Sequence, residues 1–215
     1  MVASVEFAIV LSLLQDFQQN DATDDRYLTH GLSFSTKNAY HLLAGTPAHD
    51  TNDTRVWASR VPIKVQVFGW LLVRDRLNSK ANLFRKTIIP DTTCARCTAP
   101  YEDAAHIFLL CPDSVAIWAA LQLPMPTSLD DIWDIATPPD LEDDIWPSVA
   151  LTILWKIWDS RNSLVFRGLR QPARVTLQNI VDDFTLWTAR FRGTLQKVGA
   201  MSWRQYLSSR ASATL

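Results

Sequence analysis

Three cysteines and one histidine fall in a single short run, Cys94-x2-Cys97-x8-His106-x4-Cys111, and the rest of the 215-residue chain has no other cysteine. Two thiols separated by two residues can point inward from one tight turn. His106 follows one turn into the next helical segment. Cys111 stands five residues after it, about 140° away round a regular helix at about 100° per residue. Pro112 disfavours a helical Cys111, so the backbone can deviate there and return the sulfur to the cluster. Three thiolates and one imidazole form a tetrahedral, coordinatively closed donor set, as in structural zinc sites. A closed set leaves no position for water, so zinc-assisted hydrolysis is not expected. An odd number of cysteines cannot complete a disulfide framework, which leaves metal ligation or burial as their better use. His30, His41 and His49 lie far from the cluster, in polar or mixed sequence that suits surface or capping roles.

The chain can bury a core: 47% of it is hydrophobic, with nine Trp and nine Phe. Six Gly argue against a glycine-rich phosphate-binding protein. Phe7 to Leu14 is an apolar run preceded by Glu6 and followed by Gln15 and Asp16, which reads as a helix face and not as a targeting signal. Ile145 to Trp155 is too short to span a bilayer. A soluble intracellular protein, in nucleus or cytoplasm and without a membrane segment, is the expectation.

Helical signals dominate. Apolar spacing at Val5, Ile9, Leu13 and Phe17 predicts a helix over Val5 to Gln19. Ser35 can cap a short helix through Leu43, and Thr46 to Asp53 reads as a loop. Pro62 suits the first turn of a helix reaching about Arg76. Ser79 or Asn78 can cap the next one. Asp103 can cap a helix through Leu110, and Asp113 another through Leu121. Leu123 to Asp144 is acidic and Pro-rich, with one short helix over Ser128 to Ile135. Beyond it, Trp146 to Trp158 and Leu177 to Phe191 carry the three-four apolar spacing of two antiparallel helices, joined near Gly168 and Pro172. The expected fold is all-α, mostly helical, with a small Cys3His zinc-binding knuckle and a C-terminal antiparallel helical hairpin. The expected organisation is an N-terminal region 1–122 holding the zinc module over about 33–122, a connector 123–145, and a hairpin 146–215.

Charge is segregated beneath a net of -1. From Arg55 to Arg96 nine basic residues oppose two Asp; from Tyr101 to Ser148 there are ten acidic residues and no basic one; from Lys156 to Arg210 ten basic residues oppose three Asp. Solvated, mutually balancing helix faces are one reading of this pattern. Nucleic-acid contact is the other, with Lys64, Arg74, Arg76, Lys80, Arg85, Lys86 and Arg96 flanking the metal cluster as phosphate contacts. Trp57, Trp70 and Phe84 could stack on bases, although core packing is the expectation for Trp70 and Phe84.

Several segments together resemble a known family. They are Ser33-Phe-Ser-Thr-Lys-Asn-Ala-Tyr40, Val56-Trp57, Val61-Pro-Ile-Lys-Val-Gln-Val-Phe-Gly-Trp70, Arg74-Asp-Arg-Leu77 and Asn82-Leu83. The pattern continues through Cys94, Cys97, Glu102, His106-Ile-Phe108, Cys111-Pro112 and Trp118, then Leu154-Trp-Lys-Ile-Trp-Asp-Ser-Arg-Asn162 and Val165-Phe166. This resembles the zinc-binding region downstream of the reverse transcriptase in plant non-LTR, LINE-type retrotransposon polyproteins. Tyr27-Leu28 stands where that family usually has a Trp. The resemblance implies one structural zinc, a reverse transcriptase polyprotein as context, and assistance in engaging RNA or single-stranded nucleic acid.

No catalytic machinery is expected. Val181-Asp-Asp-Phe184 only echoes the aromatic-x-Asp-Asp turn of polymerases, in reversed order and inside a helical pattern, so Asp182 and Asp183 read as solvated. The 215 residues are expected to leave no room for an endonuclease or polymerase, and a terminal ribonuclease H is not expected. The opposing function is a protein-interaction module, or a remnant without function, whose zinc only holds helices together. Oligomeric state is not legible.

Overall fold

The computed structural model describes residues 27–28, 32–33, 35–36, 38–39 and 51–213. The chain divides into residues 1–48 and 49–215. In the first part, strands β1 (Tyr27–Leu28) and β2 (Leu32–Ser33) pair antiparallel, Tyr27 opposite Ser33. The Ser35 hydroxyl accepts the Asn38 amide at 3.0 Å, the capping bond anticipated for it. The helix expected over Val5 to Gln19, and His30, His41 and His49, lie outside the described residues.

The described residues of the second part, 51–213, are largely helical. Helix α1 (Thr51–Ala58) begins inside the segment read as a loop. Helix α2 (Ile63–Val73) starts after Pro62 and ends three residues short of Arg76. It buries Val65, Phe68, Gly69 and Leu72 on one face, at helical spacing. Gly69 is needed for close approach: a Cβ there would fall 2.5 Å from Leu151 Cδ2 and 3.3 Å from Val56 Cγ1. Helix α3 (Lys80–Arg85) is capped by Ser79, whose hydroxyl accepts from the Asn82 amide. The buried Asn82 side chain donates to the Leu77 and Asp75 carbonyls at 2.8 and 3.0 Å, which fixes the turn between α2 and α3.

After the cysteine turn and a π-helical turn, His106–Leu110, comes helix α4 (Pro112–Leu121). Its N-cap is Cys111, with Pro112 in the first turn, so Asp113 is inside the helix and not its cap. The acidic Pro-rich segment holds two short 3-10 turns, Asp130–Asp134 and Asp143–Ile145. It supplies Leu123, Ile132, Trp133 and Ile145 to the core. Arg55 binds Asp134 there through two bonds, at 2.9 and 2.6 Å.

Helix α5 (Trp146–Arg167) is buried on nearly all sides from Ser148 to Leu154, as befits a central helix. Gly168 ends it with φ of 67°. Helix α6 (Ala173–Trp187) returns beside it, completing the two helices expected of a hairpin. The apolar pattern read as running through Phe191 does not stay in one helix. A 3-10 turn (Thr188–Arg190) and Gly193, with φ of 81°, break it. A further helix, α7 (Thr194–Ala213), follows and buries Ala200, Trp203, Leu207 and Ala211. Phe191 still reaches the core, edge-on to Phe184 at 6.3 Å, which is why its spacing looks helical. One continuous core runs from Val56 to Ala211. Among the described residues, no helix is long and apolar enough to cross a membrane.

Candidate metal centre

The turn carrying the first two cysteines is closed by backbone bonds: the Cys94 amide donates to the Ala99 carbonyl at 2.8 Å and the Thr98 amide to the Cys94 carbonyl at 3.0 Å. Thr98 takes φ of 61° to make the reversal. Arg96 anchors the turn from beneath. Its guanidinium donates to the Ile107 carbonyl at 2.6 Å and to Ser114 Oγ at 3.1 Å, and the residue is 5% exposed. The knuckle is thereby held against the segment that carries the other two candidate ligands.

His106 is positioned by Asp103, whose carboxylate accepts the His106 amide at 2.7 Å, the capping role anticipated for it. The geometric difficulty at Cys111 is solved by the π-turn. The Cys111 amide donates to the His106 carbonyl at 2.7 Å, a bond from residue i+5 to residue i. A wide turn of this kind returns residue i+5 over residue i, where a regular helix would have carried the sulfur to another face. Cys111 then adopts extended geometry, φ -65° and ψ 130°, and α4 departs. Proline accounts for the exit of the chain, and the π-turn accounts for the return of the thiol.

The four side chains converge. Cys94, Cys97 and Cys111 Sγ and a His106 ring nitrogen all lie within 4.8 Å of one another. Cys97 Sγ is 3.2 Å from His106 Nε2. Ligands 2.0–2.3 Å from a common tetrahedral centre are separated by about 3.3–3.8 Å, so that edge is already close and the wider ones need only a small contraction. Cys94 and Cys111 are buried and form no disulfide. Burial pushes the Cys111 thiol up to about 12 and raises that of Cys94. Burial also lowers His106, with the Arg96 guanidinium adding to the effect. Alone, the site favours neutral thiols and a neutral imidazole. A divalent cation would supply the positive charge that stabilises thiolates here, and the imidazole lone pair is ready to bind it. The donor set therefore fits zinc, in a closed structural arrangement.

Residues 34–118 match the family described as zinc-binding in reverse transcriptase. This is the family whose features the sequence resembles, and the four ligand candidates fall inside the match. The chain is also 24% identical over 145 residues to an Arabidopsis thaliana protein named "Putative ribonuclease H protein". That similarity covers 62% of this chain and 23% of the relative, so the chain spans under a quarter of the relative's length. No solved structure matches the chain significantly.

Helix α5 lies beyond the family match, yet it is bonded to the metal loop. Glu102, between Cys97 and His106, is 0% exposed and Arg161 of α5 is 1% exposed. Arg161 Nε donates to Glu102 Oε1 at 3.2 Å, and its Nη2 donates to the same oxygen. The Lys80 amide donates to it as well, at 3.3 Å. Both residues lie in the resembling segments, but nothing in the sequence says that they meet.

The basic residues flanking the cluster fare differently from one another. Arg74 pairs with Asp53, Lys80 with Asp91 at 2.9 Å and Arg85 with Asp75 at 3.5 Å. Arg96 is buried in the anchoring role above and presents no charge to a phosphate. Lys86 reaches Asn78 Oδ1 at 3.4 Å. Lys64 and Arg76 are exposed and have no ion-pair partner among the described residues. Trp70 and Phe84, expected in the core, are 37% and 50% exposed, because the buried face of α2 is the one opposite Trp70 and α3 buries Ala81 and Asn82 instead. Asp182 is exposed and accepts from Gln178 at 2.8 Å. Asp183 is not simply solvated: it pairs with Lys156 of α5 at 2.7 Å, with both side chains largely covered.

Proposed function

We propose that the chain is a non-catalytic module in which Cys94, Cys97, His106 and Cys111 hold one structural zinc, and that it assists a reverse transcriptase in engaging RNA. The observation that carries this is the convergence of a closed Cys3His donor set within the segment matching the zinc-binding family. Zinc here orders the knuckle against α4, and through Glu102 the knuckle is continuous with α5. The ribonuclease H of the relative's name belongs to a protein of which the match covers only 23%, and it is not proposed for this chain. Two measurements test the reading: metal content of the purified protein, expected at one zinc per chain, and a salt titration of single-stranded RNA binding, expected to weaken steeply with salt. A protein holding no zinc would overturn the metal assignment, and an absence of RNA binding at low salt would overturn the nucleic-acid role. The second outcome would favour a protein-interaction module, for which α7 offers Leu195, Val198 and Met201, spaced by three and 85%, 59% and 50% exposed.

A further inference from the structure

We infer that the groove between α2 and α5 is a stacking site for an unpaired base of single-stranded RNA, with Trp155 as the platform and Lys64 and Arg76 holding the flanking phosphates. The inference rests on the RNA-binding role proposed above and gives it a location.

It starts from which cations remain available. Of the seven basic residues flanking the metal cluster, three carry a carboxylate and Arg96 is buried. Of the three exposed ones without an ion-pair partner among the described residues, Lys64 and Arg76 line the same groove of about 280 Å3, and no carboxylate lines it. Lys86 adds a third charge nearby through its bond to Asn78, which also lines the groove. The groove is therefore a positive site on a chain whose net charge is -1.

Its floor is aromatic. Phe68 meets the Trp155 ring edge-on at 5.3 Å and 72°, fixing its orientation. The Lys64 ammonium lies 5.7 Å from the Trp155 centroid, so that ring already accepts a partner from an exposed, flexible side chain. Trp158 has the Arg161 guanidinium over it at 5.1 Å and closes the groove beside Trp155. A base entering the groove would replace the ammonium on the indole and release Lys64 to a phosphate oxygen. An acidic peptide would use the cations but leave the indole without a planar partner. A nucleotide uses both, which is how single-stranded sites combine stacking platforms with backbone charge.

The test is fluorescence anisotropy of the full, zinc-loaded chain with a labelled 12-nucleotide RNA of mixed sequence, beside an abasic strand of equal length and a poly-glutamate peptide. The abasic strand should bind roughly five-fold or more weakly, since one stacked base is worth about that much. Lys64→Gln with Arg76→Gln should lower the magnitude of the salt slope by about 0.7 for each phosphate that the variant no longer neutralises. Both positions are exposed, so this variant remains informative should Trp155→Leu fail to fold. Lys197→Gln, exposed on α7, should leave binding unchanged. RNA binding that ignores the groove variants, or equal affinity for the abasic strand, would overturn the stacking site while leaving the RNA-binding role intact. Poly-glutamate binding as tightly as RNA and abolished in the same variants would overturn it in favour of an acidic protein partner. No RNA binding at low salt overturns the role and the site together.

Discussion

Replacing Glu102 with Gln keeps the side-chain shape and removes only its charge. The Arg161 guanidinium would then remain buried with no counter-charge, only neutral partners: the amide at position 102, the Asn162 amide oxygen at 3.0 Å and the Trp158 ring. Breaking one side of a buried ion pair costs about 3–5 kcal/mol, because the surviving charge is left uncompensated. A domain of this size shifts its melting temperature by about 2–4 °C per kcal/mol. Glu102→Gln should therefore lower the melt by roughly 6–20 °C. Removing both charges, as in Glu102→Gln with Arg161→Met, should cost less than the sum of the two single changes, since neither charge is then stranded. Thermal melts followed by circular dichroism, arranged as a double-mutant cycle, measure this. A Glu102→Gln protein within about 1 kcal/mol of the parent, or additive double-mutant energies, would refute the reasoning. The same bond carries a corollary for dissection. A fragment ending at Gln122 keeps Glu102 and loses Arg161, so it should show no cooperative melt even with zinc.

Cys111→Ser should abolish metal binding, and pH should act in opposite directions on the two forms. Without metal, burial holds the Cys111 thiol up to about 12, against an ordinary value of 9.0. Its stabilising contribution is thus full below about pH 9 and lost as pH rises toward 12, because the unfolded chain ionises first. With metal, the bound thiolates compete with protons, so stability is instead lost as pH falls; melts across pH with and without chelator read both trends. Asp183→Ala strands the largely covered Lys156 and should cost about 1 kcal/mol, whereas Asp182→Ala should stay within about 0.5 kcal/mol, as denaturant titration would show. Gly69→Ala should cost about 1–3 kcal/mol by forcing Leu151 away from α2, measured the same way.

The elements legible in the sequence are those fixed by neighbours along the chain. Ser79 and Asp103 accept amides three residues on, Pro62 and Pro172 start helices, and Cys94 and Cys97 share one turn. Each depends on a few consecutive residues, so spacing alone displays it, and the candidate Cys3His set can be read without coordinates. Helix α1 and the break between α6 and α7 are not legible, since Phe191 keeps helical spacing while leaving the helix. The return of Cys111 is expected from Pro112, but it depends on a π-turn that shares its local sequence pattern with an ordinary helix. Ion pairing lies wholly beyond the sequence. Arg55 meets Asp134, 79 residues away, and Arg161 meets Glu102, 59 residues away. Coulomb attraction depends on distance in space and on burial, not on separation along the chain. The run of basic residues from Arg55 to Arg96 therefore looks uniform, and only packing against acidic partners decides that Arg74, Lys80 and Arg85 are paired, Arg96 is buried, and Lys64 and Arg76 face the aromatic groove.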